Sequence, residues 1–403
     1  MDLAQTPLLT RGSARRFGMH IFVFALLTRL AFTAVFLANG LDAAYGRDLY
    51  YNLAVSWLGW APAFLFDASH PPLYTAVIAA VLGLFRSPNP LPVLLLQCAL
   101  GAACAPLTRR LGARLGVAEA TARLAALWVA LDPGLIFFTP QLGTETMFIA
   151  MELLFFVWLL DELKRPLSGR LVVLGLWGGL CALCRSVIGG YPAFLFLALW
   201  RTRGVTRAFF FCAILGLGWL APSAAWSVRN YLKYGRVVPV AASMGWNLYE
   251  GFTLDREEVR RRPCEMGAEA KSLGLTHQIE LGAHFAKKTA SFIRENPGQA
   301  AKIIVGKAFL FWRPWPYDPH SWWQRGALGI YFSMLFILAL FGVRLVAFDR
   351  AWLPIWALFV YLTALHSVFF TSLRYRLPLE PFLCLLAAIG AAELLCKSRS
   401  RRA

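Results

Sequence analysis

Long apolar runs separated by short basic segments constrain this chain more than any other feature. Hydrophobic residues make up 58% of its 403 residues and charged residues only 15%, whereas soluble domains carry about 25% charged residues. The pattern therefore predicts an all-α polytopic membrane protein. The ten runs expected to span are 21–37, 91–107, 124–138, 147–160, 171–184, 187–200, 209–226, 331–346, 352–370 and 377–395.

Basic clusters between these runs predict the topology. The net charge is +18, but it is not gathered on one patch or helix face, which argues against a nucleic-acid partner. Cytoplasmic loops of membrane proteins are enriched in Lys and Arg. Five clusters are expected in the cytoplasm: Arg109, Arg110 and Arg114; Lys164, Arg165 and Arg170; Arg201, Arg203 and Arg207; Arg344 and Arg350; and Lys397, Arg399, Arg401 and Arg402.

One further apolar run, 72–85, is not expected to cross the membrane. A span needs about 17 to 25 residues, and this run is shorter and follows two prolines. If it crossed, the clusters from Arg109 to Arg207 would fall on the outer side. We therefore expect a juxtamembrane helix at the interface, and both chain termini in the cytoplasm.

This topology divides the chain into three parts. Residues 1–228 form an N-terminal transmembrane module, whose first outer loop, 39–89, is expected to be catalytic. Residues 229–325 form an extracytoplasmic region with a polar helical insertion and an aromatic, proline-rich end typical of a membrane interface. Residues 326–403 supply the C-terminal transmembrane helices.

Acidic residues at the outer ends of the predicted helices are candidate catalytic groups, because charge at membrane depth is costly. Asp48 follows the first span and is compatible with a loop acid, a helix cap or a general base. Glu145 begins the fourth span, where it could complement a helix N-terminus or join Asp48 at an acceptor hydroxyl or a metal ion. Asp48 and Glu145 are the candidate ligands if Mg²⁺ or Mn²⁺ is used; no cofactor is firmly indicated.

Arginines on the same side are candidate phosphate ligands. Arg185 lies in a hairpin between two short spans, and Arg374 and Arg376 are placed outside against the positive-inside preference. Guanidinium groups bind phosphate through paired charged hydrogen bonds, although contact with lipid headgroups is the alternative. Arg229 is a further candidate, with the same alternative.

Outward acids and outward arginines in a membrane bundle suit sugar transfer from a lipid phosphate. Arginines would stabilise the leaving phosphate, and a carboxylate would take the acceptor proton. A lipid-linked sugar flippase, a different transporter or a scaffold in a polysaccharide assembly complex are the non-enzymatic alternatives. Transporters tend to have internal repeats and polar groups at the midplane, whereas the unusual polar groups here lie at the outer face.

Several motifs resemble those of GT-C integral-membrane glycosyltransferases, in the same order. They are "GRDLYYNLA", "SHPPLYTAVIAAVLGLF", "LDPGLIFFTPQLGTETMF", "ALCRSVIGGYP", "RNYLKYGRVVPVAASMGWNLYEGF" and "RYRLPLEPF". The nearest branches are the protein O-mannosyltransferases of glycosyltransferase family 39 and the lipid A 4-amino-4-deoxy-L-arabinose transferases. Together the motifs extend from the first span to the last.

The resemblance implies a GT-C-like bundle of about ten helices, a polyprenyl-phosphate-linked sugar donor and inversion at the anomeric carbon. It matches Asp48 and Glu145 to the catalytic acids of the first two outer loops, and His70 to the histidine of an HPP motif. It also places Arg374, Arg376 and Arg185 where donor-phosphate contacts are expected. Within the same motifs, the expected substrate contacts are Tyr51, Asn247, Tyr249 and Tyr375.

The resemblance also has limits. Asp48 lacks the adjacent Glu of the mannosyltransferases, which makes a protein acceptor less favoured, although protein O-glycosylation stays an alternative. The expected partners are a polyprenyl-phosphate-linked sugar, a lipid or glycan acceptor and membrane lipids. The expected location is a bacterial inner membrane, with the active site on the periplasmic side.

Overall fold

The computed structural model describes residues 11–40, 47–61, 68–316 and 321–400; the side chains of 11–14, 47, 48, 399 and 400 are outside the described part. Over these residues the chain is helical and contains no strand, which confirms the all-α prediction. The α-helices are α1 (Arg11–Ala38), α2 (Asn52–Trp57), α3 (Pro72–Phe85), α4 (Leu91–Arg114), α5 (Glu119–Leu131), α6 (Pro133–Phe138), α7 (Glu145–Glu162), α8 (Arg170–Cys184), α9 (Tyr191–Arg203), α10 (Val205–Tyr234), α11 (Met244–Gly251), α12 (Arg256–Ser272), α13 (Gln278–Glu295), α14 (Pro297–Phe311), α15 (Trp322–Val346), α16 (Leu353–Val368), α17 (Leu373–Arg376) and α18 (Glu380–Ser400).

Six helical segments of the described chain are long and apolar enough to cross a membrane. They are Arg15–Ala38, Leu91–Arg114, Val205–Tyr234, Trp322–Val346, Arg350–Val368 and Leu373–Ser398. The other predicted spans fall on shorter or more acidic helices: α5, α7, α8 and α9 have 13, 18, 15 and 13 residues. A helix needs about 20 residues to cross a 30 Å hydrocarbon core, so the number of ten spans stays a prediction.

The helix expected at 72–85 is present with those bounds as α3. Pro72 occupies its first turn, where the missing N–H costs nothing, and Arg86 ends it in the left-handed region with φ of 48°. Fourteen residues extend about 21 Å, less than the hydrocarbon thickness. Before α3 the first loop contains a π-helical turn, Arg47–Tyr51, and α2.

The predicted span 124–138 consists of two helices, α5 and α6, which are divided at Asp132. Asp132 adopts an extended backbone before Pro133, as residues preceding proline tend to do, and its carboxylate caps α6 by accepting from Leu135 N at 2.8 Å. The fully buried Arg29 of α1 donates to Ala130 O at 3.1 Å and Val129 O at 3.2 Å. A cation thus satisfies carbonyls at the C-terminus of α5.

The polar insertion predicted after the seventh span is helical, as expected, and consists of α11, α12 and α13. It is joined to the first loop, since Ala242 N donates to Ala68 O at 2.8 Å and Ala68 N donates to Gln278 Oε1 at 3.2 Å. Two segments that are distant in the sequence are therefore fixed to each other beside His70.

A buried lysine connects the insertion to the segment that leads into α17. Lys307 of α14 is 2% exposed and donates to Gly251 O, Phe369 O and, at 3.3 Å, Val368 O. These carbonyls lie at the C-terminal ends of α11 and α16, where cations are favourable. Lys307 thereby holds the short segment that precedes Arg374.

Candidate functional site

Glu145 is the centre of the candidate site. It begins α7 and is 1% exposed, so its charge must be compensated by neighbouring groups. The side chain folds back over the preceding turn, and a Cβ placed on Gly143 would clash with Glu145 Oε2. Glycine at 143 therefore leaves the space that the carboxylate occupies.

Two arginines from distant parts of the chain pair with this carboxylate. Arg185 Nη1 donates to Glu145 Oε1 at 2.7 Å, and Arg374 Nε donates to the same oxygen. The Arg185 side chain is 8% exposed, whereas that of Arg374 is 45% exposed. Two guanidinium groups around one carboxylate keep it ionised and give the group of three, hereafter the Glu145 cluster, a net charge of +1.

Local structure explains how each arginine reaches Glu145. Arg185 follows the last residue of α8, where its extended backbone, with φ of −149° and ψ of 116°, ends the helix. Tyr375 lies beside it, with the Arg185 guanidinium carbon 5.3 Å from the ring centroid. The Tyr375 ring packs in turn on His366 at 4.8 Å. An aromatic support of this kind fixes a guanidinium group without neutralising its charge.

The first loop adds a layer of aromatic residues next to the Glu145 cluster. The Tyr50 ring packs edge to face on the rings of His70 and Tyr74, with centroid separations of 5.5 Å and 5.3 Å. Burial and the nearby positive charge of Arg374 lower the pKa of His70 to about 4, and burial followed by the Glu145 charge raises the pKa of Tyr50. His70 is therefore neutral at physiological pH, and it accepts or donates hydrogen bonds as an uncharged imidazole.

A buried amide fixes this layer to the turn before Glu145. Tyr74 donates to Gln97 Oε1, and Gln97 Nε2 donates to Thr139 O at 2.6 Å and Gln141 O at 2.7 Å. Tyr50, Tyr74 and Gln97 were not predicted from the sequence as site residues. Only Gln97 had a usable signal, since it is an isolated amide inside an apolar run, where polar residues tend to be functional.

Other predicted residues lie around the cluster in supporting positions. Tyr51 is buried and donates to Pro88 O at 2.5 Å, which ties the first loop to the turn before α4. Of Asp48 only the backbone is described: it lies in the same π-helical turn as Tyr50, two residues earlier. Its predicted catalytic role rests on that position and on the sequence.

The structure separates Arg376 from Arg374. Arg376 is fully buried, pairs with Glu380 at 2.9 Å and donates to Arg313 O at 2.5 Å. Its guanidinium carbon lies 4.6 Å from the Phe336 ring centroid. Since α17 is one short turn, residues two apart point to opposite sides, so Arg376 faces the bundle and Arg374 the cluster.

Three further predicted residues do not join the Glu145 cluster. Arg229 lies near the end of α10 with its guanidinium carbon 4.7 Å from the Trp226 ring, and it donates to Asn230 Oδ1 at 2.8 Å. Tyr249 belongs to α11 of the insertion, and its ring packs on that of Phe285 in α13, with centroids 5.1 Å apart. Asn247, on the same helix α11, is half-buried.

The cluster is a poor fit for a divalent cation. Its carboxylate already accepts from two guanidinium groups, and hard cations need several free oxygen ligands. Within the described residues, no three His, Cys, Asp or Glu side chains are grouped as metal ligands; Asp48 and Asp67 fall outside that comparison.

Solved structures of archaeal oligosaccharyltransferases share this architecture. The apo form from Archaeoglobus fulgidus superposes with a TM-score of 0.58 at 14% identity, covering 96% of this chain and 51% of that chain. The AglB protein of Archaeoglobus fulgidus in complex with an inhibitory peptide and a dolichol-phosphate superposes with a TM-score of 0.56 at 11% identity, covering 96% of this chain and 51% of that chain. The chain has the GT-C fold.

This likeness confirms the GT-C-like fold expected from the sequence. A third neighbour, the same oligosaccharyltransferase tethered to an acceptor peptide containing the NVT sequon, gives a TM-score of 0.52 at 13% identity, over 94% of this chain and 50% of that one. The chain thus spans about half the length of these proteins. No protein-family model matches the sequence, and no curated protein is significantly similar. The narrower resemblance to family 39 and to the arabinose transferases stays a prediction.

Proposed function

We propose that this GT-C protein transfers a sugar from a polyprenyl-phosphate-linked donor to a hydroxyl or amine acceptor. The observation that carries the proposal is the Glu145 cluster, with its net positive charge and its half-exposed Arg374. The structural neighbours support a lipid-linked donor, since one of them was solved with a dolichol-phosphate. The reaction is placed at the outer face of a bacterial inner membrane, following the basic loops.

In the proposed step, the acceptor heteroatom forms a bond to the anomeric carbon while the bond from that carbon to the phosphate oxygen breaks. The bonding pair leaves with the polyprenyl phosphate, whose growing charge Arg374 and Arg185 stabilise. Asp48 takes the acceptor proton as general base. Attack opposite to the leaving group inverts the anomeric configuration.

Glu145 is better suited to orienting the arginines than to removing a proton. A carboxylate that accepts from two guanidinium groups is a weak base, and both contacts use one oxygen. Glu145 therefore fixes the direction of Arg374 before the donor binds. Such preorganisation lowers the cost of stabilising charge in the transition state.

The acceptor is expected between the first loop and the insertion. Ala68 is bonded to both Ala242 and Gln278, so the segment carrying His70 and the insertion form one surface beside the cluster. Neutral His70 would hydrogen-bond a sugar or acceptor hydroxyl. The acceptor is proposed to be a lipid or glycan of the cell envelope.

The test uses purified full-length protein in proteoliposomes with a panel of labelled undecaprenyl-phosphate sugars and an envelope lipid extract as acceptor. Replacing Arg374 by Gln should lower the turnover about 10²-fold to 10³-fold, the cost of losing one preorganised charge donor. Asp48→Asn should abolish turnover. The matched control is Arg294→Gln, an exposed arginine of α13, which should retain full activity.

Transfer that survives both Asp48→Asn and Arg374→Gln contradicts this mechanism. Movement of labelled donor across the bilayer without transfer, unaffected by Asp48→Asn, would instead assign the protein to lipid-linked sugar transport.

A further inference from the structure

A basic groove lies at the end of the bundle opposite to the Glu145 cluster. This groove, hereafter the α1–α4 groove, runs between α1 and α4 and has a volume of ≈ 520 Å³. It is lined by Arg15, Gly18, Met19, Phe22, Pro106, Arg109 and Arg110. Arg29 and Gly101, on the same two helices, border the small cavity next to Glu145. At 1.5 Å per residue, Arg15 is about 21 Å from Arg29 along the helix axis.

The two helices separate to form this groove. They pack tightly near the Glu145 cluster, where Thr33 Oγ1 lies 3.3 Å from Cys98 Sγ and a Cβ on Gly101 would lie 2.8 Å from Arg29 Nε. Toward the other end, Gly18 has no atom within 4 Å of a Cβ position. The lining residues of α1 follow the spacing i, i+3, i+4 and i+7, so they form one face of the helix.

The groove has a charged end and an apolar end. On α1, Arg15 lies at the end of the groove farthest from the Glu145 cluster and Phe22 about 10 Å nearer to it. On α4 the two arginines follow Pro106 toward the same far end. A phospholipid has this polarity, with a phosphate next to acyl chains, and basic pockets between membrane helices bind anionic headgroups.

The charges around the groove favour an anion. Arg109 Nη1 contacts Glu119 Oε1 at 3.0 Å, and Arg123 shares the same carboxylate at 2.8 Å. Among the described residues, no carboxylate pairs with Arg15 or Arg110. Arg109 and Arg123 thus share one carboxylate, and Arg15 and Arg110 add positive charge where the groove opens.

We propose that the α1–α4 groove binds one anionic phospholipid, with its phosphate at the arginines and an acyl chain along the apolar end. The site is separate from the one proposed for sugar transfer and does not depend on it. A zwitterionic choline headgroup would bring its cation toward the arginines, so the groove should select phosphatidylglycerol over phosphatidylcholine.

Native mass spectrometry of the full chain, released from mixed micelles with equal amounts of the two lipids and matched acyl chains, tests the proposal. The protein should retain one phosphatidylglycerol in preference to phosphatidylcholine. Replacing Arg15 and Arg110 together by Gln should weaken that retention about tenfold or more, since each basic residue near a membrane surface contributes substantially to anionic lipid binding. Gly18→Leu should also weaken it, because the new side chain fills the groove and leaves every charge in place.

The matched control is Arg207→Gln, an exposed arginine at the start of α10 outside the groove. Equal loss of lipid in this control would show a general charge effect and overturn the proposal. Unchanged retention in both groove variants, or displacement of the lipid by inorganic phosphate, would overturn it as well. Arg15 and Arg110 are both exposed at the open groove, so their replacement should leave the thermal unfolding midpoint unchanged.

Discussion

Removal of the Glu145 carboxylate should destabilise the protein mainly through Arg185. In Glu145→Gln the shape of the side chain is kept, but the guanidinium of Arg185, only 8% exposed, loses its charged partner. Leaving one partner of a buried ion pair uncompensated costs about 3 to 5 kcal/mol. The other partner, Arg374, is 45% exposed and contributes about 0 to 1 kcal/mol, as solvated ion pairs do.

The same reasoning ranks the arginine variants. Arg185→Gln leaves Glu145 buried with the half-exposed Arg374, so it should cost several times more stability than Arg374→Gln, which preserves the buried pair. The double variant Glu145→Gln/Arg185→Gln should be destabilised less than either single variant, because no unpaired buried charge remains. Sugar transfer, however, should not return.

Buried cysteines provide the assay. Cys98, Cys104, Cys181, Cys184 and Cys384 are buried, free thiols, so a thiol-reactive dye reports the loss of packing as the protein is heated in detergent. The order of midpoints should be Arg374→Gln highest, then the double variant, then the two buried single variants. An Arg374→Gln midpoint as low as that of Arg185→Gln would refute the assignment of stability to the buried pair.

Three further predictions concern the surroundings of the cluster. Gly143→Ala should displace the Glu145 carboxylate and lower transfer activity, whereas Gly267→Ala, which has open space around its Cβ, should have no effect in the same proteoliposome assay. His70 has a pKa of about 4 in the folded state, against an ordinary value of 6.5. As the pH falls from 6.5 to 4 the unfolded chain binds a proton at this residue before the folded protein does, so the free energy of unfolding should fall over that range. His70→Asn should flatten that part of the curve of the thermal unfolding midpoint against pH. Lys307→Met leaves three carbonyls without their donor and should cost about 1 to 3 kcal/mol, with increased hydrogen exchange at 368–374; unchanged exchange there would show that Lys307 does not hold the segment before Arg374.

Much of the architecture could be predicted from apolar periodicity and turn chemistry. The bounds of α3 follow from two prolines at its start and the end of the apolar run at Phe85. The insertion was expected to be helical, and three helices occupy it. Within the predicted span 124–138, the break at Asp132 follows from the next residue, because a residue before a proline is biased toward an extended backbone.

The candidate site was predictable as a set of residues but not as a geometry. Charge at the ends of the predicted spans identified Glu145, Arg185 and Arg374, and the structure brings these three together. Sequence pattern could not show that Arg376 turns toward Glu380, since the direction of a side chain in a four-residue helix is set by packing against α15 and α18. Nor could it show that Tyr74 and Gln97 fix the turn before Glu145, because that contact joins distant segments.

The Glu145 cluster also has a consequence for how the chain enters the membrane. Glu145 and Arg185 are 40 residues apart, whereas Arg374 follows Glu145 by 229 residues. During synthesis the first two side chains emerge together, and as a pair they carry no net charge into a low-dielectric setting. The excess cation is added only when the last helices dock, so affinity for an anionic lipid donor should be absent from a nascent chain and should arise with the completed bundle.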